Sequence, residues 1–232
     1  MRGTSLIGRG GAAVDPFLSN VIFQSHCESW GQSGNGIGSF QQYNSYSAIS
    51  TAQKKFGSAS ATIIPGQPNP GSSPFPCIGQ MLPKAGTNFA FGTGDFTIEM
   101  WFYKPSSAPL ATLMDWRDGV SAGRPGMFMH SSNKLSFAID STYIIYTNVS
   151  FSNDVWNHVA VSQNSQFAKM HLNGVLIGVG NQGQSLTVGT PPRIGGTEHQ
   201  YYPMSESFAD AIRITKGIGR YTDTFTPDAT PF

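Results

Sequence analysis

Large apolar residues alternate with smaller or polar ones along the middle of the chain, most clearly from Phe96 onwards. Every second position there is apolar: Phe96, Ile98, Met100 and Phe102. A period of two is the pattern of a β-strand that packs one face on a core. Further strands are predicted at 21–23, 110–116, 126–130, 134–139, 142–147, 155–163, 166–172, 174–179, 191–195 and 208–215. Many short strands separated by turn residues, with no long amphipathic helix, indicate an all-β sandwich or barrel.

The bulk composition fits one such domain. A chain of 232 residues is long enough for one large sandwich, and its sixteen Phe can fill the core between two sheets. Only 12% of the residues are charged and the formal net charge is +1, which gives no general attraction to nucleic acid. No apolar run approaches the roughly 18 residues of a membrane span.

Two segments depart from the strand pattern. Residues 1–14 contain four glycines, Arg2 and Arg9 but no acid, which predicts a flexible N-terminal arm. That arm is either a disordered tail or expression leftover, or an assembly arm that docks on a neighbouring subunit. It lacks the continuous apolar core of a secretion signal. Residues 65–76 carry five prolines, and we expect a surface excursion there because proline lacks the N–H that a sheet needs.

The two cysteines, Cys27 and Cys77, are expected to be free thiols, since a chain without a secretion signal folds in a reducing cytosol. The hairpin at 155–172 offers a possible metal pair. With Asn164-Ser165 as its two-residue loop, His158 lies opposite His171. Two opposed imidazoles could chelate a transition metal, but no third ligand is evident, and a stacked or hydrogen-bonded pair is the alternative.

Several motifs, in order, resemble the concanavalin A-like lectin/glucanase superfamily, in its laminin-G/pentraxin-like branch. They are Gly94-Asp-Phe-Thr-Ile-Glu-Met-Trp101, Trp156-Asn-His-Val-Ala-Val161, Leu172-Asn-Gly174 and Ile212-Arg-Ile-Thr-Lys-Gly217. The resemblance implies a single antiparallel two-sheet jelly-roll-like sandwich over residues 15–232. Members of this superfamily mostly bind glycans or proteins.

A finer resemblance is to the form of this domain found in tailed-phage virion proteins. It rests on Asp15-Pro-Phe-Leu-Ser-Asn-Val21, Ile49-Ser-Thr-Ala-Gln-Lys-Lys-Phe-Gly57, the 212–217 motif, Arg220-Tyr221 and Phe225-Thr-Pro227. It implies a capsid decoration or tail-associated protein that assembles in the host cytoplasm. Its partners would be other virion subunits, and a homo-oligomer is expected because such surface proteins repeat by symmetry.

Catalytic patterns are missing from the sequence. Glycoside hydrolases on this fold use two carboxylates on one strand face, whereas every Glu here is isolated from another Glu at the required spacing. The nearest acid pair, Asp115 and Asp118, flanks Trp116-Arg117. There is no nucleophile elbow, phosphate loop, Cys-x-x-Cys or His-Glu-x-x-His. We therefore expect a protein that is not an enzyme and has no cofactor, with a bound calcium ion as the one alternative left open.

Three loops carry the aromatic and polar side chains that suit glycan binding, where rings stack on sugars and polar groups bind hydroxyls. The candidates are Asp115, Trp116, Arg117 and Asp118 in the first loop, His199, Tyr201 and Tyr202 in the second, and Trp30 in the third. Protein interfaces use the same exposed aromatics. Trp101 and Trp156 lie within strand alternations and are expected to pack in the core. By resemblance alone, Asp15 and Asp210 are calcium candidates, although only Asp210 remains of the family's acidic pair.

Three functions stay open from the sequence. The first is a non-enzymatic structural protein of a tailed-phage virion, the second a carbohydrate-binding lectin module in host adhesion, and the third, least supported, a glycoside hydrolase. The first two are compatible, because a sandwich mounted on a particle can also bind host-surface glycans.

Overall fold

A computed structural model describes residues 15–31, 37–42, 45–64, 77–117, 123–187, 189–196 and 206–232. The arm predicted at 1–14, with Arg2 and Arg9, and the excursion predicted at 65–76 lie outside these residues. The described strands are β1 Val21–Ser25, β2 Ser39–Gln41, β3 Ser47–Ser50, β4 Ser60–Ile63, β5 Gly79–Leu82, β6 Phe96–Tyr103, β7 Thr112–Asp115, β8 Pro125–His130, β9 Lys134–Ile139, β10 Thr142–Ser150, β11 Trp156–Asn164, β12 Phe167–Leu172, β13 Val175–Asn181, β14 Arg193–Ile194 and β15 Phe208–Lys216. Short 3-10 turns occur at Leu18–Asn20 and Ser131–Asn133.

The strands form two antiparallel sheets. Sheet A has the order β13-β12-β11-β6-β15-β4-β3, and β1 pairs with β15 beyond the end of β4. Sheet B has the order β10-β9-β8-β7-β14-β5-β2. In the part of the chain that the structure describes, no helix is long and apolar enough to cross a membrane. The predicted all-β, two-sheet, jelly-roll-like sandwich is thus confirmed.

The core lies between the sheets and follows the period of two. Phe96, Ile98, Met100 and Phe102 of β6 are fully buried, and the Phe96 ring meets Phe137 of sheet B at 6.3 Å between centroids. Alternate residues of β8 and β9 face them from the other side. Each buried aromatic or aliphatic side chain stabilises the sandwich by roughly 1.5–3 kcal/mol relative to exposure.

The intervening positions of β6 point to the outer face of sheet A, away from sheet B. The predicted burial of Trp101 is thus confirmed, but its predicted position between the sheets is wrong, and the core position predicted for Trp156 is wrong as well. Trp101 is buried from outside the sandwich, because Lys55 Nζ lies 4.0 Å from its ring centroid and Phe56 packs edge-on against it. Trp156 is half-buried beside Tyr103.

The hairpin register also differs from the prediction. Asn164 pairs with Phe167, so the loop is Ser165-Gln166, and His171 lies opposite Ala160 rather than His158. Ser165 has φ 58°, which a tight hairpin turn requires, and its N–H donates to Asp95 Oδ1 at 2.7 Å. This contact with the neighbouring loop stabilises the shifted turn.

Cys27 and Cys77 are buried and free, as expected. Burial raises the pKa of Cys77 to about 12 and that of Cys27 well above its ordinary value. Both thiols therefore stay protonated at neutral pH.

Candidate functional site

The outer face of sheet B carries a cavity of about 630 Å³ next to a smaller one of about 160 Å³. Arg117, which follows β7, lines both cavities. The floor of the larger cavity is formed by Phe128, His130 and Ala138, which alternate with core residues along β8 and β9. We call the two cavities together the sheet B groove. Its combined size is that of a site for a small ligand.

Two β-bulges shape the groove. In β7 the pairs Thr112↔Phe128 and Asp115↔Gly126 enclose one extra residue. In β10 the pairs Tyr143↔Ala138 and Tyr146↔Ser136 do the same. A regular strand would place residues three apart on opposite faces, but each bulge puts its pair on the same, outer face. The bulges thereby aim Asp115 and Tyr143 toward the groove.

An aromatic cluster stands at one end of the groove. Tyr143 is 55% exposed and Tyr146 46% exposed, and their ring centroids lie 5.7 Å apart. The His130 ring contacts both, at 5.3 and 4.8 Å. Exposed aromatic faces beside a polar cavity are suited to stacking on sugar rings. Sequence reasoning missed these residues, because their common face depends on the bulge in β10.

Arg117 is held in place by Asp115. Its Nε lies 2.9 and 3.1 Å from the two carboxylate oxygens of Asp115, and its Nη2 lies 2.9 Å from Oδ2. The guanidinium carbon also lies 4.6 Å from the centroid of the Phe128 ring. A guanidinium group that is hydrogen-bonded along one edge and stacked on a ring by one face is held rigidly. Arg117 can therefore present fixed donors to a ligand.

A second carboxylate, Asp140, lines the larger cavity. It accepts the Arg124 Nε at 3.0 Å and the Gly123 and Arg124 backbone N–H groups at 2.8 and 3.2 Å. Burial raises the pKa of Asp115 despite the neighbouring Arg117, and burial lowers the pKa of His130. The imidazole of His130 is thus neutral at pH 7, and its Nε2 lies 2.7 Å from Ser136 Oγ.

The predicted sugar-binding residues fall into four groups. Asp115 and Arg117 do line the groove. Trp116 also lines the smaller cavity, but it is only 2% exposed and its ring packs against Phe89 and Phe91 of the core, so the ring offers no free face for stacking on a sugar. Trp30 is half-buried, with its ring 5.1 Å from Phe40, and it is not among the described residues that line the groove. Asp118, His199, Tyr201 and Tyr202 lie outside the described residues.

The calcium candidates have other partners. Asp15 accepts two bonds from Arg220, at 2.9 and 2.8 Å, and lies 3.4 Å from Arg213. Asp210 accepts the backbone N–H groups of Lys55 and Phe56 at 2.9 and 3.1 Å, and burial raises its pKa to about 6. No group of three or more His, Cys, Asp or Glu that could hold a metal ion occurs in the described parts of the chain. Calcium binding by Asp15 or Asp210 remains a prediction without geometric support.

Comparison with known families gives one match. The profile described as "Concanavalin A-like lectin/glucanases superfamily" matches residues 82–212, more than half of the chain. These residues run from the end of β5 into β15 and include both bulged strands of the groove. A search of curated proteins finds no match.

Solved structures share the fold at low sequence identity. Domain 4 of AbnA, a GH43 extracellular arabinanase from Geobacillus stearothermophilus in complex with arabinotriose, is 14% identical with a TM-score of 0.53, covering 85% of this chain and 93% of that one. The catalytic domain of a glycoside hydrolase family 131 protein from Coprinopsis cinerea is 15% identical with a TM-score of 0.50, covering 81% and 86%. Trypanosoma rangeli sialidase is 13% identical with a TM-score of 0.53, covering 90% of this chain but 32% of the sialidase.

Proposed function

Because the chain belongs to the concanavalin A-like lectin/glucanases superfamily, we propose that it is a non-enzymatic lectin-like protein that binds an oligosaccharide in the sheet B groove. The observation that carries the proposal is the groove itself. It joins a cavity of about 630 Å³ to the exposed rings of Tyr143 and Tyr146 and to the fixed guanidinium of Arg117. Stacking faces beside rigid polar groups are what sugar recognition requires.

The carboxylates of the groove support binding over hydrolysis. A glycosidase needs one carboxyl group as acid and a second as nucleophile or base, and both must be able to reach the sugar. Asp115 is tied to Arg117 and Asp140 to Arg124, so each carboxylate already has a guanidinium partner. The arabinotriose seen with domain 4 of AbnA also makes oligosaccharides of this size reasonable probes.

The test is a titration of the full chain with a panel of oligosaccharides, followed by the Tyr143→Ala variant on any that bind. We expect Tyr143→Ala to weaken binding at least about tenfold, because a stacking ring is lost. Phe167→Ala is the matched control, since Phe167 is 51% exposed on sheet A. It should leave binding unchanged.

Two results would overturn the proposal. One is the absence of binding to every oligosaccharide of the panel. The other is equal binding by the Tyr143→Ala variant and the unmodified chain. New reducing ends released from a bound oligosaccharide would overturn the non-enzymatic part alone.

We further propose that the protein acts on the surface of a tailed-phage particle, as a capsid decoration or tail-associated module with other virion subunits as partners. Three of the motifs that resemble virion proteins contact one another, since Asp15 binds Arg220 and lies 3.4 Å from Arg213 of the 212–217 motif. Co-sedimentation of the full chain with phage particles, against a control of free chain alone, tests this placement, and a chain that stays in the supernatant speaks against it.

A further inference from the structure

We infer that the larger cavity of the sheet B groove selects uncharged oligosaccharides and discriminates against sugars that carry a carboxylate. This inference rests on the proposed glycan binding and names the ligand class of the same groove. It follows from how the charges around the larger cavity are paired.

Of the described residues that line the larger cavity, Arg117 alone carries a permanent positive charge. Its fork is occupied by Asp115 through three contacts of 2.9–3.1 Å, and its flat face rests on Phe128. The recognition of a carboxylated sugar by arginine normally uses this same bidentate edge. This edge of the Arg117 guanidinium already binds Asp115, and the carboxylate of Asp115 balances the charge of Arg117.

A second charged residue that lines the cavity, Asp140, is negative. Asp140 lines the cavity with 30% of its side chain exposed, and its partner Arg124 is 12% exposed. The less buried member of this pair is therefore the acid. A ligand carboxylate that entered the cavity would approach Asp140, and like charges at close range disfavour binding.

No other described residue that lines the cavity offers a cation. His130 is neutral at pH 7 because burial lowers its pKa, and Thr112, Ser131, Ser141 and Tyr143 present neutral hydroxyl groups. A carboxylate loses its hydration when it enters such a site, and neutral hydroxyls do not balance its charge as an unpaired cation would. Sugar hydroxyls can instead donate to Asp140 and accept from Arg117, and the stacking faces serve any sugar ring.

The experiment compares each of two acidic oligosaccharides with its own neutral methyl ester, and adds one neutral oligosaccharide as a reference. The probes are 3′-sialyllactose and trigalacturonic acid, the methyl esters of both, and neutral arabinotriose, each titrated into the full chain at neutral pH. We expect the methyl esters to bind at least about tenfold more tightly than the corresponding acids. Acids that bind as tightly as their esters would overturn the inference while leaving the proposed function intact.

Two variants connect the selectivity to the paired charges. Asp115→Asn releases the Arg117 fork, and Asp140→Asn removes the acid from the cavity wall without altering a fully buried group. Each is expected to shift the acid-to-ester affinity ratio toward the acid by about tenfold, whereas Asp223→Asn, an exposed acid outside the groove, should not change it. Melting curves identify any variant that does not fold.

The outcomes separate the two proposals. An ester preference that neither groove variant alters would show that the paired charges are not its cause, and would overturn the inference. If no acid, ester or arabinotriose binds, the inference and the proposed glycan binding fail together.

Discussion

Glu99 is a carboxylate without solvent access in the middle of β6. Its Oε1 accepts Arg213 Nε at 2.8 Å, and its Oε2 accepts the Tyr221 hydroxyl at 2.8 Å and lies 3.2 Å from His158 Nε2. Burial alone would raise the pKa of Glu99, but the Arg213 charge and these bonds hold it at about 2. Glu99, which has no second Glu at the spacing that a catalytic pair requires, is thus the centre of a buried network.

We expect Glu99→Gln to lower the free energy of unfolding by about 3–5 kcal/mol, because buried Arg213 would lose its nearest carboxylate partner and keep only the more distant and more exposed Asp15 and Asp228. Urea denaturation measures the loss. Asp223→Asn, an exposed acid of the tail that covers this face, is the matched control and should change stability by no more than about 0.5 kcal/mol. A loss below about 1 kcal/mol for Glu99→Gln would contradict the role of the ion pair.

The same network gives a pH dependence with a defined sign. The folded-state pKa of Glu99, about 2, lies below its ordinary value of 4.5. The stability that its ionisation contributes is therefore complete above about pH 4.5 and is lost as the pH falls toward 2. The stability difference between the unmodified chain and Glu99→Gln should shrink across that interval.

At the scale of strands, the sequence predicts those features of the fold that depend on the regular alternation of apolar and polar residues. The inward positions of β6 follow from the period of two, and so does the sandwich. The bulges in β7 and β10 could not be predicted, because the extra residue is fixed by pairing with β8 and β9 across the sheet. For that reason Tyr143 and Tyr146 were not found as site residues, whereas Asp115 and Arg117 were found from their residue types beside Trp116 and not from the bulge.

Long-range contacts also explain the two errors at this scale. The Ser165-Gln166 turn depends on a hydrogen bond to Asp95, a residue 70 positions away. The spacing of residues within the hairpin gives no information about that contact. The register changed by an even number of positions, so His158 and His171 kept the predicted face although they are not opposed. Trp101 is buried by a loop around Lys55 and Phe56 that carries no strand pattern.

The edges of the two sheets meet where β13 approaches β10. A Cβ placed on Gly180 would lie 2.1 Å from the Ile144 carbonyl oxygen, and one on Gly178 would lie 2.5 Å from the Ile145 side chain. We expect Gly180→Ala to destabilise the protein by about 1–3 kcal/mol, because a backbone atom must move to admit the methyl group. Gly189→Ala is the control, since its nearest contact would be 3.5 Å. Equal melting temperatures for the two variants would contradict this account of the edge.

At the scale of the whole molecule, the two outer faces differ. The tail from residue 217 to 232 covers part of the outer face of sheet A, where Phe225 stacks on Tyr221 and the Phe232 ring lies 3.9 Å from the Arg213 guanidinium. Sheet B instead presents the groove. The buried ion-pair network and the proposed binding groove therefore lie on opposite faces of one sandwich, and changes on one face should leave the other intact.

Asp15 tests this separation, because it joins the start of the described chain to the tail through Arg220. Although burial opposes it, the bonds from Arg220 lower the pKa of Asp15. We expect Asp15→Asn to cost about 1–2 kcal/mol of stability through the loss of a bidentate ion pair, with oligosaccharide binding in the sheet B groove unchanged. Asp228→Asn, which removes an acid that is 52% exposed and 3.6 Å from Arg213, should cost less.

The same variant decides between the ion pair and a calcium site at Asp15. A carboxylate bound by one arginine and close to a second has little capacity left for a cation, so the melting temperature should be equal in millimolar calcium and in excess chelator. A ligand that binds only the folded state must raise that temperature. A calcium-dependent rise that disappears in Asp15→Asn would therefore show that Asp15 binds calcium, and the ion pair with Arg220 would then be only one of its two states.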